Sequence, residues 1–347
     1  MMSAVLTSQS ERSSASASGF VPVIDMHPAL SGSRQDKLNA ARAVGRACET
    51  SGFFAVVGHN ASASIINDLY VATRRFFSLP DDAKSALLSD PDDPLMRGFG
   101  RAGSLAASAK AASVEQERQK PDLSETFTIN RLGDPNGAAN LAGALARSVG
   151  RPNKWPEIPG FVDAYRTYYR CMEVLARDIM RLFALALDLP EGWFDDKIDK
   201  HMTNLTANYY PPQLTPPKPG QLRKGQHSDW GSLTILYHDD APGGLQVLDK
   251  GGEWHDVPAI PGSFVINLGD LMAIWTNNRW VSTVHRVVNP PAALANRERY
   301  SIAFFNQPNF DALIECIPGC SGPGRPQLHE PVLSGEYILQ KFRLAYG

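Results

Sequence analysis

Two histidines and one aspartate have the types and the spacing that a metal site requires. His227 and Asp229 are separated by one residue at the edge of a β-prone run. Because successive side chains of a strand alternate between its faces, these two point the same way, with Cα atoms about 6.5 Å apart. His285 begins another β-prone run and is the candidate third ligand. Two imidazoles and one carboxylate on one side of an iron(II) ion leave coordination positions open for oxygen and for substrate-derived ligands.

Other interpretations of these residues compete with a catalytic iron site. A histidine beside an aspartate is commonly a surface pair or a structural histidine, and His201, His238 and His255 are also available as ligands. Zinc would accept the same two histidines and aspartate. The spacing alone therefore leaves the use of the site open.

The elements that would carry these residues are short β-prone runs, which follow Pro190 and are separated by Gly, Pro and Asn. Many short strands at close spacing predict an antiparallel barrel or a double-sheet jelly roll. The runs cover residues 206–210, 233–238, 245–248, 263–268, 285–288 and 300–305.

The first half of the chain alternates short strands with helices, and a last helix follows the β-rich part. Apolar residues at steps of three and four make the stretch over 160–187 the longest predicted helix. Residues 90–156 are irregular and glycine-rich, which predicts a lid or substrate wall that could include a short helix over 106–119. The other predicted elements are strands over 20–25 and 53–57 and helices over 34–51, 62–78 and 336–346.

Composition excludes several classes of function. The 347 residues are 20% charged with a formal net charge of −2, and no basic run is large enough to bind nucleic acid. No run of about 18 apolar residues predicts a membrane span.

The four scattered cysteines fit a reducing cytoplasm better than a disulfide framework, and residues 1–19 are expected to form a flexible tail. Neither a phosphate-binding loop nor a serine-hydrolase motif occurs.

Six segments of the β-rich half together resemble the isopenicillin N synthase-like iron(II) and 2-oxoglutarate-dependent dioxygenases. Their order and spacing match over roughly residues 20–345, and the VPVIDM and GFFAVVGH segments are similar to that family's N-terminal strands. The six segments are NYYPP from Asn208, HSDWGSLTIL from His227, GGLQV from Gly243, NLGD from Asn267, HRV from His285 and RYSIAFF from Arg299.

The resemblance implies a mostly β fold with flanking helices. Its core would be a double-stranded β-helix, or jelly roll, over 201–310, with a long support helix. A mixed α/β part with a loop lid would precede the core over 20–200. A C-terminal extension with a helix would complete a single oxygenase domain over 20–347.

The resemblance also implies Fe(II), 2-oxoglutarate and O2 as cofactor and cosubstrates. His227, Asp229 and His285 would hold the iron. Arg299 and Ser301 are two apart on a predicted strand, so they can present a guanidinium fork and a hydroxyl to the distal carboxylate of 2-oxoglutarate. By analogy with the family, Tyr210 donates to that carboxylate and Asn208 lies near the keto-acid end. Without the resemblance, a salt bridge of Arg299 with Glu298 or Asp270 would be favoured.

The expected reaction is oxidation of an unactivated C–H bond of a small molecule, with release of succinate and CO2. Hydroxylation is the default outcome, and desaturation or cyclisation are alternatives. Asp229 disfavours halogenation, because related halogenases leave that ligand position to the halide. Two other functions stay open: an iron oxidase of the same fold that does not use 2-oxoglutarate, and a non-catalytic, zinc-bound barrel that binds a small ligand.

The substrate is the least determined part of the prediction, since loops set specificity in this fold. Arg97 and Arg101 hint at an acidic group on the substrate. Arg223 and Lys224, just before the strand of His227, could as easily lie in a solvated loop. Nothing in the sequence sets the oligomeric state. The candidate pocket residues are Arg97, Phe99, Arg101, Glu125, Phe127, Trp230 and Phe305.

Overall fold

The computed structural model describes residues 19–103, 120–135, 137, 149–239, 241 and 244–346. Three sequence-based predictions lie outside these residues. They are the tail over 1–19 except for its last residue, the short helix over 106–119, and the first glycine of the GGLQV segment. Much of the lid predicted over 90–156 lies outside them as well.

Seven helices of the described residues frame the β structure. The helix over Arg34–Thr50 begins with a capping box, in which the side chains of Ser33 and Asp36 accept hydrogen bonds from each other's backbone N–H groups. The helices are α1 (His27–Ser31), α2 (Arg34–Thr50), α3 (Ala63–Phe77), α4 (Asp81–Ser85), α5 (Phe161–Ala186), α6 (Asp270–Trp275) and α7 (Ser334–Tyr346).

Fourteen strands of the described residues form three sheets. The large sheet has the order β1-β2-β10-β7-β12-β5-β4-β3, the smaller one β6-β11-β8-β9, and β13 pairs with β14. The strands are β1 (Val23–Asp25), β2 (Phe53–Val57), β3 (Gly98–Gly100), β4 (Glu125–Asn130), β5 (Asn204–Tyr210), β6 (Lys224–His227), β7 (Leu233–His238), β8 (Leu245–Leu248), β9 (Trp254–Asp256), β10 (Phe264–Leu268), β11 (His285–Val287), β12 (Arg299–Asn306), β13 (Leu313–Ile314) and β14 (Val332–Leu333).

This architecture confirms the predicted jelly roll with a long support helix. The six β-prone runs and the four predicted helices with described residues all correspond to observed elements. The expectation that 90–156 is irregular was wrong in part, because β3 and β4 extend one edge of the large sheet. The alternation in β4, with Phe127 and Ile129 between threonines, was the overlooked signal.

The apolar core lies between the helices and one face of the large sheet. Both α2 and α3 pack on α5, which contributes Tyr165, Met172 and Ile179 to the main cluster of buried side chains. The sheet contributes alternate residues, such as Leu205 of β5 and Ile302 of β12. Since side chains of a strand alternate, the intervening residues face the smaller sheet. None of the helices in the described part of the chain has the length and apolar character needed to cross a bilayer.

Candidate metal and cosubstrate site

The three candidate metal ligands meet where the two sheets approach each other. His227 ends β6 and lies directly opposite His285, which begins the antiparallel strand β11. The Nε2 atom of each histidine is 3.8 Å from Oδ1 of Asp229. One ligand atom from each residue lies within 4.8 Å of the others, so a single ion can contact all three.

Backbone carbonyls fix the orientation of both imidazoles. His227 Nδ1 is 2.9 Å from the carbonyl oxygen of Gly225, and His285 Nδ1 is 3.1 Å from that of Thr283. A carbonyl only accepts, so each Nδ1 carries the proton and each Nε2 presents its lone pair to a metal. Burial, reinforced by the neighbouring His285, lowers the pKa of His227 to about 3, which keeps its imidazole in the neutral form that binds metals.

The Asp229 carboxylate is held by residues of the large sheet. Its Oδ2 accepts hydrogen bonds from Thr234 Oγ1 at 2.5 Å and from Asn267 Nδ2 at 2.7 Å. Burial raises the pKa of Asp229, but the two histidines and these two donors outweigh it, so the net pKa is lowered. The carboxylate is therefore ionised, with Oδ1 directed to the metal position.

We expect a Thr234→Val variant to bind iron(II) about 10- to 100-fold more weakly than the wild type, the usual cost of losing a partner that orients a ligand. Anaerobic competition with a chelator measures this affinity. Thr50→Val is the matched control, because the Thr50 hydroxyl donates only to helix carbonyls of Arg46 and Ala47. Equal affinities of the two variants would show that the Thr234 hydroxyl does not support Asp229.

The other candidate histidines have different partners. His201 is 2.9 Å from Glu173, and His238 Nδ1 is 2.9 Å from the carbonyl oxygen of Asp239. His255 lies 2.6 Å from Asp249 and belongs, with Glu253, to a second possible metal group at the turn between β8 and β9. That group is more exposed than the first, and its Asp249 already accepts two backbone N–H groups of the turn.

The four residues predicted to bind 2-oxoglutarate are neighbours across two paired strands. Arg299 is opposite Tyr210, and Ser301 is opposite Asn208, in the β12–β5 ladder. The Arg299 guanidinium lies 5.1 Å from the centre of the Tyr210 ring. Asn208 connects this face to the metal strand, since its Oδ1 accepts a hydrogen bond of 3.4 Å from Lys224 at the start of β6.

Arg299 is 3% exposed, and its Nη1 has no hydrogen-bond partner. The salt bridges considered for it from sequence do not form. Glu298 pairs with Arg74 at 2.8 Å, and Asp270 pairs with Lys341 at 2.8 Å. A buried cation with an unsatisfied donor is what a carboxylate ligand would complement.

A cavity of about 410 Å³ adjoins the metal position. His227 and Asp229 line it, as do four of the predicted pocket residues: Phe99, Arg101, Trp230 and Phe305. Three threonines that the sequence analysis overlooked, Thr126, Thr128 and Thr206, form part of its polar wall. They occupy alternate positions of β4 and β5, so the period of two identifies them once the facing sheet is known.

The remaining three predicted pocket residues do not line this cavity. Glu125 and Phe127 alternate with the threonines of β4, so Glu125 pairs with Lys84 at 2.7 Å and Phe127 packs in the apolar core. Arg97 is 1% exposed and forms a buried ion pair with Asp93. Arg101 lines the cavity but pairs with Asp81 at 2.7 Å. The suggestion of an acidic substrate from these two arginines is therefore not supported.

A jelly roll that brings two histidines and one aspartate together beside a buried arginine is typical of the non-haem iron(II) oxygenases. Comparison with known proteins identifies the family. Residues 203–308 match the 2OG-Fe(II) oxygenase superfamily, and residues 21–158 match the N-terminal region of the non-haem dioxygenases in morphine synthesis.

Individual relatives cover almost the whole chain. The 2-oxoglutarate-Fe(II) type oxidoreductase hxnY of Emericella nidulans is 31% identical, covering 94% of this chain and 90% of the relative. Homoarginine-6-hydroxylase 2-ODD-233 of Oryza sativa subsp. japonica is also 31% identical, covering 92% and 96%. The crystal structure of full-length Neurospora crassa T7H with alpha-KG and thymine has a TM-score of 0.80 and 29% identity, covering 93% and 96%.

The chain belongs to the 2-oxoglutarate and iron(II)-dependent oxygenase family. It is an enzyme of that class and uses Fe(II), 2-oxoglutarate and O2. Both alternatives left open by the sequence, an oxidase without 2-oxoglutarate and a zinc-bound binding barrel, find no support among these relatives.

Proposed function

We propose that the chain hydroxylates a C–H bond of a small molecule bound in the 410 Å³ cavity. Iron(II) would be held by His227, Asp229 and His285. The distal carboxylate of 2-oxoglutarate would bind Arg299, Ser301 and Tyr210, and Asn208 would lie near the keto-acid end. The observation that supports these roles best is the buried, unpaired Nη1 of Arg299 on the same strand face as Ser301.

The residues present suit both groups. Two imidazoles with oriented Nε2 atoms and one ionised carboxylate are a donor set for iron(II), and the buried guanidinium is a donor for a carboxylate. When bound, iron(II) with 2-oxoglutarate and O2 supplies an oxidant strong enough for a C–H bond, with succinate and CO2 as coproducts. The protein orients the ligands, anchors the cosubstrate and shields the reacting centre from water with the walls that include Phe99, Trp230 and Phe305.

Several finer points belong to the same proposal. Desaturation or cyclisation would use the same residues, and Asp229 at the metal position favours these outcomes over halogenation. A small molecule, and not nucleic acid, would be the partner. The four cysteines with free thiols support a reducing cytoplasm as the location. The division into parts over 20–200, 201–310 and 311–347 within one oxygenase domain also remains a proposal.

We expect anaerobic titration of the iron(II)-loaded protein with 2-oxoglutarate to produce a weak charge-transfer band in the visible. On exposure to air, succinate should form slowly alone and faster with a molecule that fits the cavity, which should gain one oxygen atom by mass spectrometry. Homoarginine and thymine are the first compounds to test. Homoarginine appears in the name of the rice hydroxylase, and thymine is bound in the Neurospora crassa structure.

A Trp230→Ala variant separates the cavity from the cosubstrate site. It should show the same band at the same 2-oxoglutarate concentration, while the acceleration of succinate formation by the substrate is lost. Absence of the band in the iron-loaded wild type would contradict the proposed roles of the metal and cosubstrate residues. A band that weakens in Trp230→Ala would show that this residue acts on the cosubstrate.

A further inference from the structure

A second buried arginine lies beside the proposed carboxylate anchor. Arg223 precedes β6 and is 1% exposed. Its guanidinium is 5.8 Å from the centre of the Tyr210 ring, and that of Arg299 is 5.1 Å from the same ring. Both cations therefore converge on one tyrosine of β5.

Most of the hydrogen-bonding capacity of Arg223 is unused. Its Nη2 donates to the carbonyl oxygen of Arg297 at 2.9 Å, while Nε and Nη1 are buried without a partner. Together with Nη1 of Arg299, this makes three unsatisfied guanidinium donors around Tyr210. An unsatisfied buried donor costs free energy, and a charged one costs more, so a ligand that accepts hydrogen bonds from these donors would be bound favourably.

The positive charges of Arg223 and Arg299 also lack a neighbouring carboxylate in the described part of the chain. Within the part of the chain that the structure describes, no carboxylate lies within 4 Å of either guanidinium. Burial, followed by repulsion from Arg299, lowers the pKa of Arg223, although Tyr210 and Asp239 attract its charge. Asp239 is itself engaged by the backbone N–H of Tyr300 at 2.7 Å.

We propose that Arg223 is a second anchor of 2-oxoglutarate, which binds the distal carboxylate together with Arg299 through its free Nε and Nη1 donors. A carboxylate has about four acceptor positions, which is enough for three guanidinium donors and one of the hydroxyls of Ser301 and Tyr210. The anionic ligand also relieves the repulsion between the two arginines. This inference rests on the proposed role of Arg299 and adds a residue that sequence analysis assigned to a possible solvated loop.

Two keto acids test the contact directly. 2-Oxopentanoate has the chain of 2-oxoglutarate with a methyl group in place of the distal carboxylate. Dissociation constants of both are measured by anaerobic titration of the iron(II)-loaded full-length protein, in wild type, Arg223→Gln and Arg223→Lys. We expect Arg223→Gln to weaken the binding of 2-oxoglutarate about 10- to 150-fold, the range for hydrogen bonds to charged groups, and to leave the binding of 2-oxopentanoate unchanged.

Arg223→Lys keeps the charge and loses the fork, so a smaller loss confined to 2-oxoglutarate is expected, and this variant carries the test if Arg223→Gln does not fold. Arg74→Gln is the control, since Arg74 pairs with Glu298 on the surface. Equal weakening of both keto acids, or of neither, would overturn the inference and leave Arg223 as a structural support of Tyr210. If the wild type does not itself prefer 2-oxoglutarate over 2-oxopentanoate, the proposed cosubstrate site fails instead.

Discussion

An Asp229→Ala variant is expected to lose its stoichiometric iron(II) and to form succinate more than about 100-fold more slowly than the wild type. We take about 100-fold as the lower limit, because the loss of a residue that only orients a ligand already weakens metal binding by about 10- to 100-fold. Removing Asp229 also leaves two buried, facing imidazoles, whose ring centres are 4.3 Å apart, without the anion between them. Iron per chain after anaerobic loading and desalting, and succinate formation, are the two measurements.

The second possible metal group supplies the control. His255 forms a 2.6 Å contact with Asp249 in an exposed turn, and Glu253 completes the group. We expect His255→Ala to retain one iron per chain and wild-type succinate formation. If Asp229→Ala kept its iron while His255→Ala lost it, the metal centre would lie at the turn between β8 and β9, and the proposed function would have to be abandoned.

The sequence predicts the residues of the candidate metal site better than it predicts their surroundings. His227 and Asp229 follow from the period of two along a strand, which is a local property. The direct pairing of His227 with His285 is not local, because the register between strands far apart in the chain depends on how the whole sheet assembles. Asn267 was missed for the same reason, since it is 38 residues from Asp229 along the chain. Thr234 is only five residues from Asp229, and their contact depends on the path of the loop between β6 and β7.

The placement of three predicted pocket residues away from the cavity has a related physical cause. Alternation separates Phe127 from Thr126 and Thr128, but it does not say which face of β4 meets the apolar core. The large aromatic side chain takes the core face, where it contacts Phe76 and Phe161, and the threonines take the cavity face. Burial of Arg97 and Arg223 was equally hidden, because a charged residue in a polar stretch is exposed in most proteins.

The same alternation explains how one sheet serves stability and chemistry together. Along β12, Tyr300, Ile302 and Phe304 join the core packed against α5. The intervening Arg299 and Ser301 face the proposed cosubstrate site and Phe305 faces the cavity. A substitution on one face should therefore change stability, while one on the other should change ligand binding, so the two kinds of effect can be measured separately.

An Arg299→Gln variant is expected to raise the dissociation constant of 2-oxoglutarate about 100-fold while keeping one iron per chain. A hydrogen bond to a charged group contributes about 1.5–3 kcal/mol, which corresponds to about 10- to 150-fold in affinity, and the guanidinium fork can supply two. The variant keeps the Tyr210 ring that lies against Arg299, so the lower affinity for 2-oxoglutarate reports the loss of the Arg299 cation. The measurement is the charge-transfer band as a function of 2-oxoglutarate concentration, with iron content determined on the same sample.

The control for Arg299→Gln is Arg74→Gln, which removes a surface arginine paired with the adjacent Glu298. Exposed pairs of this kind contribute at most about 1 kcal/mol, so we expect little change in 2-oxoglutarate affinity. In turnover, Arg299→Gln should raise the KM for 2-oxoglutarate and leave kcat nearly unchanged at saturation, because the distal carboxylate is bound equally before and during the reaction. A fall in kcat with unchanged KM would contradict the anchoring role and place Arg299 at the reacting centre.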